Sequence, residues 1–358
     1  MQIDKCIVDK IFKHLGDDES KKVLARRLAY NLVPTHENMR ELARLDSPVI
    51  IDQIQKYIDE GDKVCVYGVG KDFWHPGRVM CNLFYDKLAG AFDKDSESIS
   101  EISFFGLHVP ILPPERICEL TPDIVVIIAT QNPKYQNEIY SALLELGIPR
   151  HRMVFIPPLY SYGWGDYFYW PFFNYGLNEF FVDCGCYDGE TSLLFAKTVE
   201  QQPLASISKI IAYEPNEKLF ATSKKALSHI PFAQVRNMGV WNKRDTLRFY
   251  DNPIIAEGSA ISVAGDCVIN TVALDEDLSG ERVTFIKMDV EGAELNALKG
   301  AENLIRINRP KLAICVYHKP EDILEIPEFI VNLNLGYKLY LRHQSLTQFD
   351  TILYAAPE

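Results

Sequence analysis

Residues 180–191 read FFVDCGCYDGET, and this stretch decides how the rest of the chain is understood. Three large apolar residues, Phe180, Phe181 and Val182, run into Asp183, after which Gly185 and Gly189 permit a tight turn into the helix-forming segment TSLLFAKTV. The pattern predicts strand, loop and helix. In an open parallel sheet a ligand sits outside the carboxyl end of such a strand, against the free amides of the following helix. The stretch therefore reads first as a small-molecule site, with an ordinary strand-to-helix turn as the plainer alternative.

A second acid narrows the ligand. The apolar run Ile210-Ile211-Ala212-Tyr213 ends in Glu214 and Pro215, so two successive strands each finish with a carboxylate. A carboxylate at the end of the second strand can accept hydrogen bonds from both hydroxyls of a ribose. Two phosphates would want bare backbone and positive charge in the first loop, which instead carries Asp183, Tyr187 and Asp188. S-adenosylmethionine (SAM), with its ammonium and sulfonium, fits better.

Bulk properties bound the class. The chain has 358 residues, enough for two or three domains, and 47% hydrophobic content supports packed cores. Its 49 acidic residues against 37 basic ones give a net charge of −12, which disfavours a nucleic-acid polymer as partner. No apolar run is long enough to span a bilayer, and the start MQIDKCIVDK lacks the apolar core of a secretory signal. Eight scattered cysteines without a CxxC pair suggest reduced thiols in a cytoplasmic protein. Cys184 and Cys186 lack the further ligands a zinc site needs.

Residues 1–60 read as a helical extension in three segments, IVDKIFKHL, KKVLARRLAYNLV and SPVIIDQIQKYIDEG, suited to covering a face of the next domain or pairing with a second copy. Residues 61–156 alternate strands with helices, beginning with KVCVYGVGKDF, and predict a small parallel, Rossmann-like module. It resembles the nucleotide-binding modules attached to sugar-modifying and polysaccharide-biosynthesis proteins. The third glycine of a dinucleotide fingerprint is absent, and Phe73 and Trp74 stand where a pyrophosphate would approach. A nucleotide or sugar nucleotide there, and a degenerate module that positions a substrate or partner, both remain open. Residues 157–177 form an aromatic linker, read mainly as packing, with Tyr167 to Trp170 the candidates for lining a cleft.

Residues 178–358 continue as a second Rossmann-like unit. AQVRNMGVW and RDTLRFYD read as strands, with Asn237 and Gly239 on the rim shared by Asp183 and Glu214. Alternation in FIKMD puts Phe285, Lys287 and Asp289 on one side. A helix then starts with Glu291 and Glu294 in its first turn, Glu294 serving as a cap. KLAICVYH ends a fifth strand at His318, and YKLYLRH and DTILYAA close the sheet as an antiparallel pair. The binding set on this rim comprises Asp183, Gly185, Cys186, Tyr187, Asp188, Gly189, Thr191, Glu214, Pro215, Asn237, Gly239 and Asp289.

Together, FFVDCGCYDGETS, AYEP, FIKMDVEGAELNALKGA, ICVYHKPEDILEIP and YKLYLRHQS resemble the FkbM family of SAM-dependent methyltransferases, with DVEGAE the most specific segment. The resemblance implies a class I methyltransferase fold, a seven-stranded and largely parallel sheet with its last strand antiparallel, and O-methylation of sugar, glycan or related hydroxyls. It further implies that Asp183, Gly185 and Gly189 cradle the methionine part of SAM, Glu214 holds the ribose, and Asp289 faces the methyl-transfer zone. Asp289, Glu291 or His318 is the expected base, His318 favoured for its near-neutral pKa, with Arg342 and His343 orienting the acceptor. Nothing in the spacing requires a metal, and none is assigned. Two other classes stay open: an NAD(P)-dependent oxidoreductase centred on Gly68 and Gly70, and a non-catalytic glycan-pathway binding protein.

Overall fold

The computed structural model describes residues 4–72, 75–104, 106–120, 123–156, 166–168, 171–250, 260–261 and 267–357. The chain forms two compact units. One comprises Met1–Ala25, Asp166–Arg342 and Thr351–Glu358, and the other Arg26–Gly165 and His343–Asp350.

The first unit is built on seven strands: β1 (Glu179–Cys184), β2 (Ile207–Tyr213), β3 (Ala233–Arg236), β4 (Phe285–Met288), β5 (Lys311–Cys315), β6 (Tyr337–His343) and β7 (Thr351–Pro357). Their order across the sheet is β6-β7-β5-β4-β1-β2-β3. Pairing is parallel from β3 through β2, β1 and β4 to β5, and β7 runs antiparallel to β5. Every residue of β1, β4 and β5 is buried, as expected of central parallel strands covered on both faces. From β1 the chain builds outward to β2 on one side, whereas β4 lies on the other. The switch point is therefore between β1 and β4, where their carboxyl ends leave a crevice.

Aromatic side chains fill one face beneath that crevice. Phe168 meets Phe181, Phe195 and Phe285 edge-on at 5.5, 5.3 and 5.5 Å, while Phe181 and Phe195 stack at 4.2 Å. Edge-to-face geometry places positive ring edges on negative faces and adds to the burial of area. Of the aromatic segment read as packing, Tyr167, Phe168 and Phe173 are buried here; residues 157–165, Tyr169 and Trp170 lie outside the described residues.

Several sequence readings need correction. RDTLRFYD forms the expected strand, Asp245–Tyr250, and lies in a separate four-stranded sheet with Gly239–Val240, Ala260–Ile261 and the unanticipated strand Cys267–Val272. Gly239 is thus in that smaller sheet and not at the tip of β3. The helix after β4 begins only at Glu294, leaving Glu291 in the preceding loop with φ 53°. The N-terminal segment contains four helices, not three, the extra one being His36–Ala43. Its first helix, Lys5–His14, packs on helix Asp322–Asn332, and the Gly16 N–H donates to Leu339 of the edge strand β6 at 2.8 Å. Arg342 on β6 pairs with Asp17 at 2.7 Å. These contacts cover an edge that would otherwise offer unpaired backbone.

The second unit carries a six-stranded sheet in the order Glu101–Phe104, Leu107–Leu112, Leu88–Phe92, Lys63–Tyr67, Ile124–Ile128, Met153–Phe155. All its pairings are parallel except the first. Among the described residues no helix is long and apolar enough to cross a membrane.

Because Phe168 is the hub of the aromatic layer, Phe168→Ala is expected to cost about 3–5 kcal/mol. Urea unfolding followed by near-UV circular dichroism measures this.

Candidate active site

The deepest element of the crevice is an ion pair. Asp183, at the end of β1, and Lys287, on β4, are both essentially inaccessible, with Lys287 Nζ 3.2 Å from Asp183 Oδ1. Lys287 also donates to the Gly185 carbonyl at 2.6 Å, and Ser192 Oγ donates to Asp183 Oδ2 at 2.8 Å. Burial opposes the ammonium form of Lys287, but Asp183 and Asp289 outweigh it and hold the group protonated above the usual lysine value. The loop between β1 and its helix is thereby tied to both strands. Gly185, at φ 78°, lies so close to the Asp289 carbonyl that a Cβ would come within 1.8 Å of that oxygen. Only glycine permits this approach.

The rest of the loop turns toward the end of β2. Glu214 accepts the Tyr187 N–H at 3.1 Å and the Asn216 N–H at 2.8 Å, and its own carbonyl accepts Asn237 Nδ2 at 2.9 Å. Burial raises the Glu214 carboxyl to about 7 despite those two amides. Asp188 accepts the Glu190 N–H at 3.0 Å and caps the helix opened by Gly189, whose φ is 92°. Cys186 is buried against Ala212 and Leu227, and Thr191 is buried in the helix's first turn. Pro215 and Asn237 lie on the rim beside Glu214.

Past the end of β4 a second polar group gathers. Asp289 Oδ2 accepts the Tyr167 hydroxyl at 2.8 Å. His318 Nε2 stands 3.4 Å from Asp289 Oδ1 and 3.5 Å from Glu291 Oε2, while Nδ1 lies 2.9 Å from Glu294 Oε1. Glu294 is fully buried and also accepts the Val290 N–H at 2.9 Å, so it does more than cap its helix. Burial works against an imidazolium, yet Glu294, Glu291 and Asp289 together raise His318 to about 10. Asp289 is driven the other way: burial is outweighed by Lys287, His318 and the Tyr167 hydroxyl, and its carboxyl is held below the ordinary value.

Residues 183–339, which span this crevice and its rim, match the model of the Methyltransferase FkbM domain. They form an FkbM-family methyltransferase domain. The chain is 29% identical over 125 residues to the hexuronic acid methyltransferase AglP of Haloferax volcanii, a match covering 33% of this chain. The matched stretch spans about half of that relative, 52% of its length. In fold, it is similar to a methyltransferase FkbM from Methylobacillus flagellatus KT, with a TM-score of 0.53 at 20% identity, covering 94% of this chain and 99% of that one.

In this FkbM domain the expected residues separate into those that line and those that brace. Asp183, expected to touch the methionine part of the donor, is fully buried and spent on Lys287 and Ser192. Arg342 is not brought to the His318 group, since its guanidinium is engaged by Asp17 and Glu19. His343 falls in the other compact unit, where burial and then Arg27 push its pKa down to about 3. Sequence reasoning missed Lys287, although a lysine inside an apolar central strand was a visible signal. It also missed Tyr167 as a partner of Asp289, for which no local signal exists.

In the other unit, the glycine turn after Lys63–Tyr67 opens on a cavity of ≈ 770 Å³ lined by Gly68, Gly70, Lys71, His75, Lys94 and Tyr135. Asp93 Oδ2 already accepts the Val69 and Gly70 N–H groups at 3.0 and 3.4 Å. A carboxylate on those amides repels a diphosphate from the same place. Phe73 and Trp74 lie outside the described residues.

Replacing Lys287 with Met leaves the fully buried Asp183 without its counter-charge, and Lys287→Met is expected to lose about 3–5 kcal/mol of stability in chemical unfolding. A second expectation concerns pH. A ribose donating to Glu214 favours the carboxylate, so binding lowers a pKa that is about 7 in the free protein. SAM affinity should then fall about tenfold between pH 8 and pH 6. Calorimetry across that range tests it, and Glu214→Gln should flatten the profile.

Proposed function

We propose that this protein transfers the methyl group of SAM to a hydroxyl of a sugar or glycan. The observation that carries the proposal is the placement of buried Glu214 at the end of β2 and of the Asp289–Glu291–His318 group past the end of β4, on the same rim of the sheet. One end suits the donor and the other an acceptor rich in hydroxyls. The sugar class is further supported by the relative named a hexuronic acid methyltransferase.

Transfer from a sulfonium is an in-line displacement. The acceptor oxygen forms a bond to the methyl carbon, the C–S bond breaks with its electron pair staying on sulfur, and the hydroxyl proton leaves. Alignment contributes most, and a positioned base adds to it. In this reading the Gly185 turn leaves room for the amino-acid end of the donor, and Glu214 fixes its ribose. The favoured base changes from the sequence reading: a histidine ringed by three carboxylates keeps its proton, so His318 orients and balances charge. Asp289, hydrogen-bonded by Tyr167 and held at low pKa, is a poor acceptor. Glu291, with 27% of its side chain exposed, is then the carboxylate that receives the proton.

The test is methyl transfer from labelled SAM to a panel of sugar nucleotides and lipid-linked glycans, read by mass. An alkali-stable product distinguishes an ether from a methyl ester. Glu291→Gln should lower kcat about 10²–10⁴-fold while leaving SAM affinity unchanged. Labelling of no sugar by a protein that binds SAM overturns the acceptor class.

A further inference from the structure

Three side chains from two loops face one point above the ends of β4 and β5. The candidate ligand atoms, one each from Asp289, Glu291 and His318, all lie within 4.8 Å of one another. His318 Nε2 is 3.4 Å from Asp289 Oδ1 and 3.5 Å from Glu291 Oε2. Two donors that share an ion at about 2.0–2.2 Å from each sit about 3.0–3.5 Å apart, depending on the coordination angle. The separations match donors grouped about a common centre more closely than donors bonded to one another.

What lies behind the three donors points the same way. Neither ring nitrogen of His318 makes a hydrogen bond although only 9% of its side chain is exposed, and Asp289 Oδ1 makes none either. On the far side of the ring, Nδ1 lies 2.9 Å from Glu294 Oε1. Glu294 is fully buried, so it cannot be a solvated surface charge near the ring by accident. A cation at Nε2 would displace the proton that the ion-free ring carries there, and the carboxylate behind the ring keeps the remaining proton on Nδ1, which is the usual support for a metal-bound imidazole. Tyr167 does the same for Asp289 by taking Oδ2 and leaving Oδ1 forward.

We propose that Asp289 Oδ1, Glu291 Oε2 and His318 Nε2 bind a divalent cation, with Glu294 and Tyr167 holding two of the three ligands in place. One imidazole with two carboxylates suits a first-row ion such as Mn²⁺ better than Ca²⁺, which takes oxygen donors in larger number. Three protein ligands leave positions open for water or for acceptor oxygens. Binding of the ion stands on this ligand set alone. Its consequence rests on the O-methyl reading: an ion there would chelate neighbouring oxygens of the acceptor and acidify the reacting hydroxyl, relieving Glu291 of the task of base.

The experiment uses the full chain, stripped with chelator and titrated with MnCl₂, with free Mn²⁺ followed by electron paramagnetic resonance. About one ion per chain is expected. Glu291→Gln and His318→Gln should each abolish binding at wild-type saturating Mn²⁺, and Glu294→Gln should weaken it about 10–100-fold. Far-UV circular dichroism and urea unfolding confirm that each variant is folded, and Glu291→Gln, altering a partly exposed loop residue, keeps the test decisive if the buried variants do not fold. No bound ion at millimolar Mn²⁺, or equal binding by wild type and Glu291→Gln, overturns the site. The two proposals fail separately. Ion binding without transfer to any sugar keeps the site and removes the acceptor reading, whereas sugar methylation with no bound ion does the reverse.

Discussion

The methyltransferase domain depends on one lysine buried where water cannot reach it. Lys287 sits in the middle of the sheet, paired in charge with Asp183 on the neighbouring strand and donating a hydrogen bond to the Gly185 carbonyl. A buried ion pair contributes little net stability over an apolar pair of the same shape, but losing one member is costly. Its value here is geometric. It pins β1 to β4 at the switch point, and it fixes the loop backbone where Gly185 must pass almost in contact with the Asp289 carbonyl.

That arrangement also sets the electrostatics of the crevice. Lys287 balances Asp183 and draws Asp289 toward its charged form, while Glu214, further away and well buried, is pushed up instead. A second centre of charge lies past β4, where His318 is surrounded by carboxylates. Acidic side chains outnumber basic ones around both centres. The crevice therefore suits a cationic methyl donor, and the group at its outer end suits a further positive species.

How much of this was readable beforehand follows from the range of each interaction. The β1 loop was legible, because an apolar run, an acid and two glycines act within a dozen residues. Glu214 was legible for the same reason, as the acid closing the next strand. The alternation in FIKMD puts Lys287 and Asp289 on one side, whereas the pairing of Lys287 with Asp183 depends on which strand packs beside β4. Glu291 was misplaced by one turn of helix, since a left-handed residue followed by glycine delays the helix start. Alternation in RDTLRFYD shows a strand but not its sheet, because register with Cys267–Val272 is a tertiary matter.

By itself the sequence determined the alternation of strands and helices, the ligand-bearing loop, and the acids at the strand ends, all of which follow from local periodicity and backbone freedom. Only the tertiary structure decided what those acids do. Asp183 pairs with Lys287 and Ser192 while Glu214 accepts two backbone amides, Tyr167 reaches Asp289 across 122 residues of sequence, and His318 faces three carboxylates and so keeps its proton. Side-chain charge and hydrogen bonding depend on which groups folding brings within a few ångströms, and sequence spacing does not contain that distance.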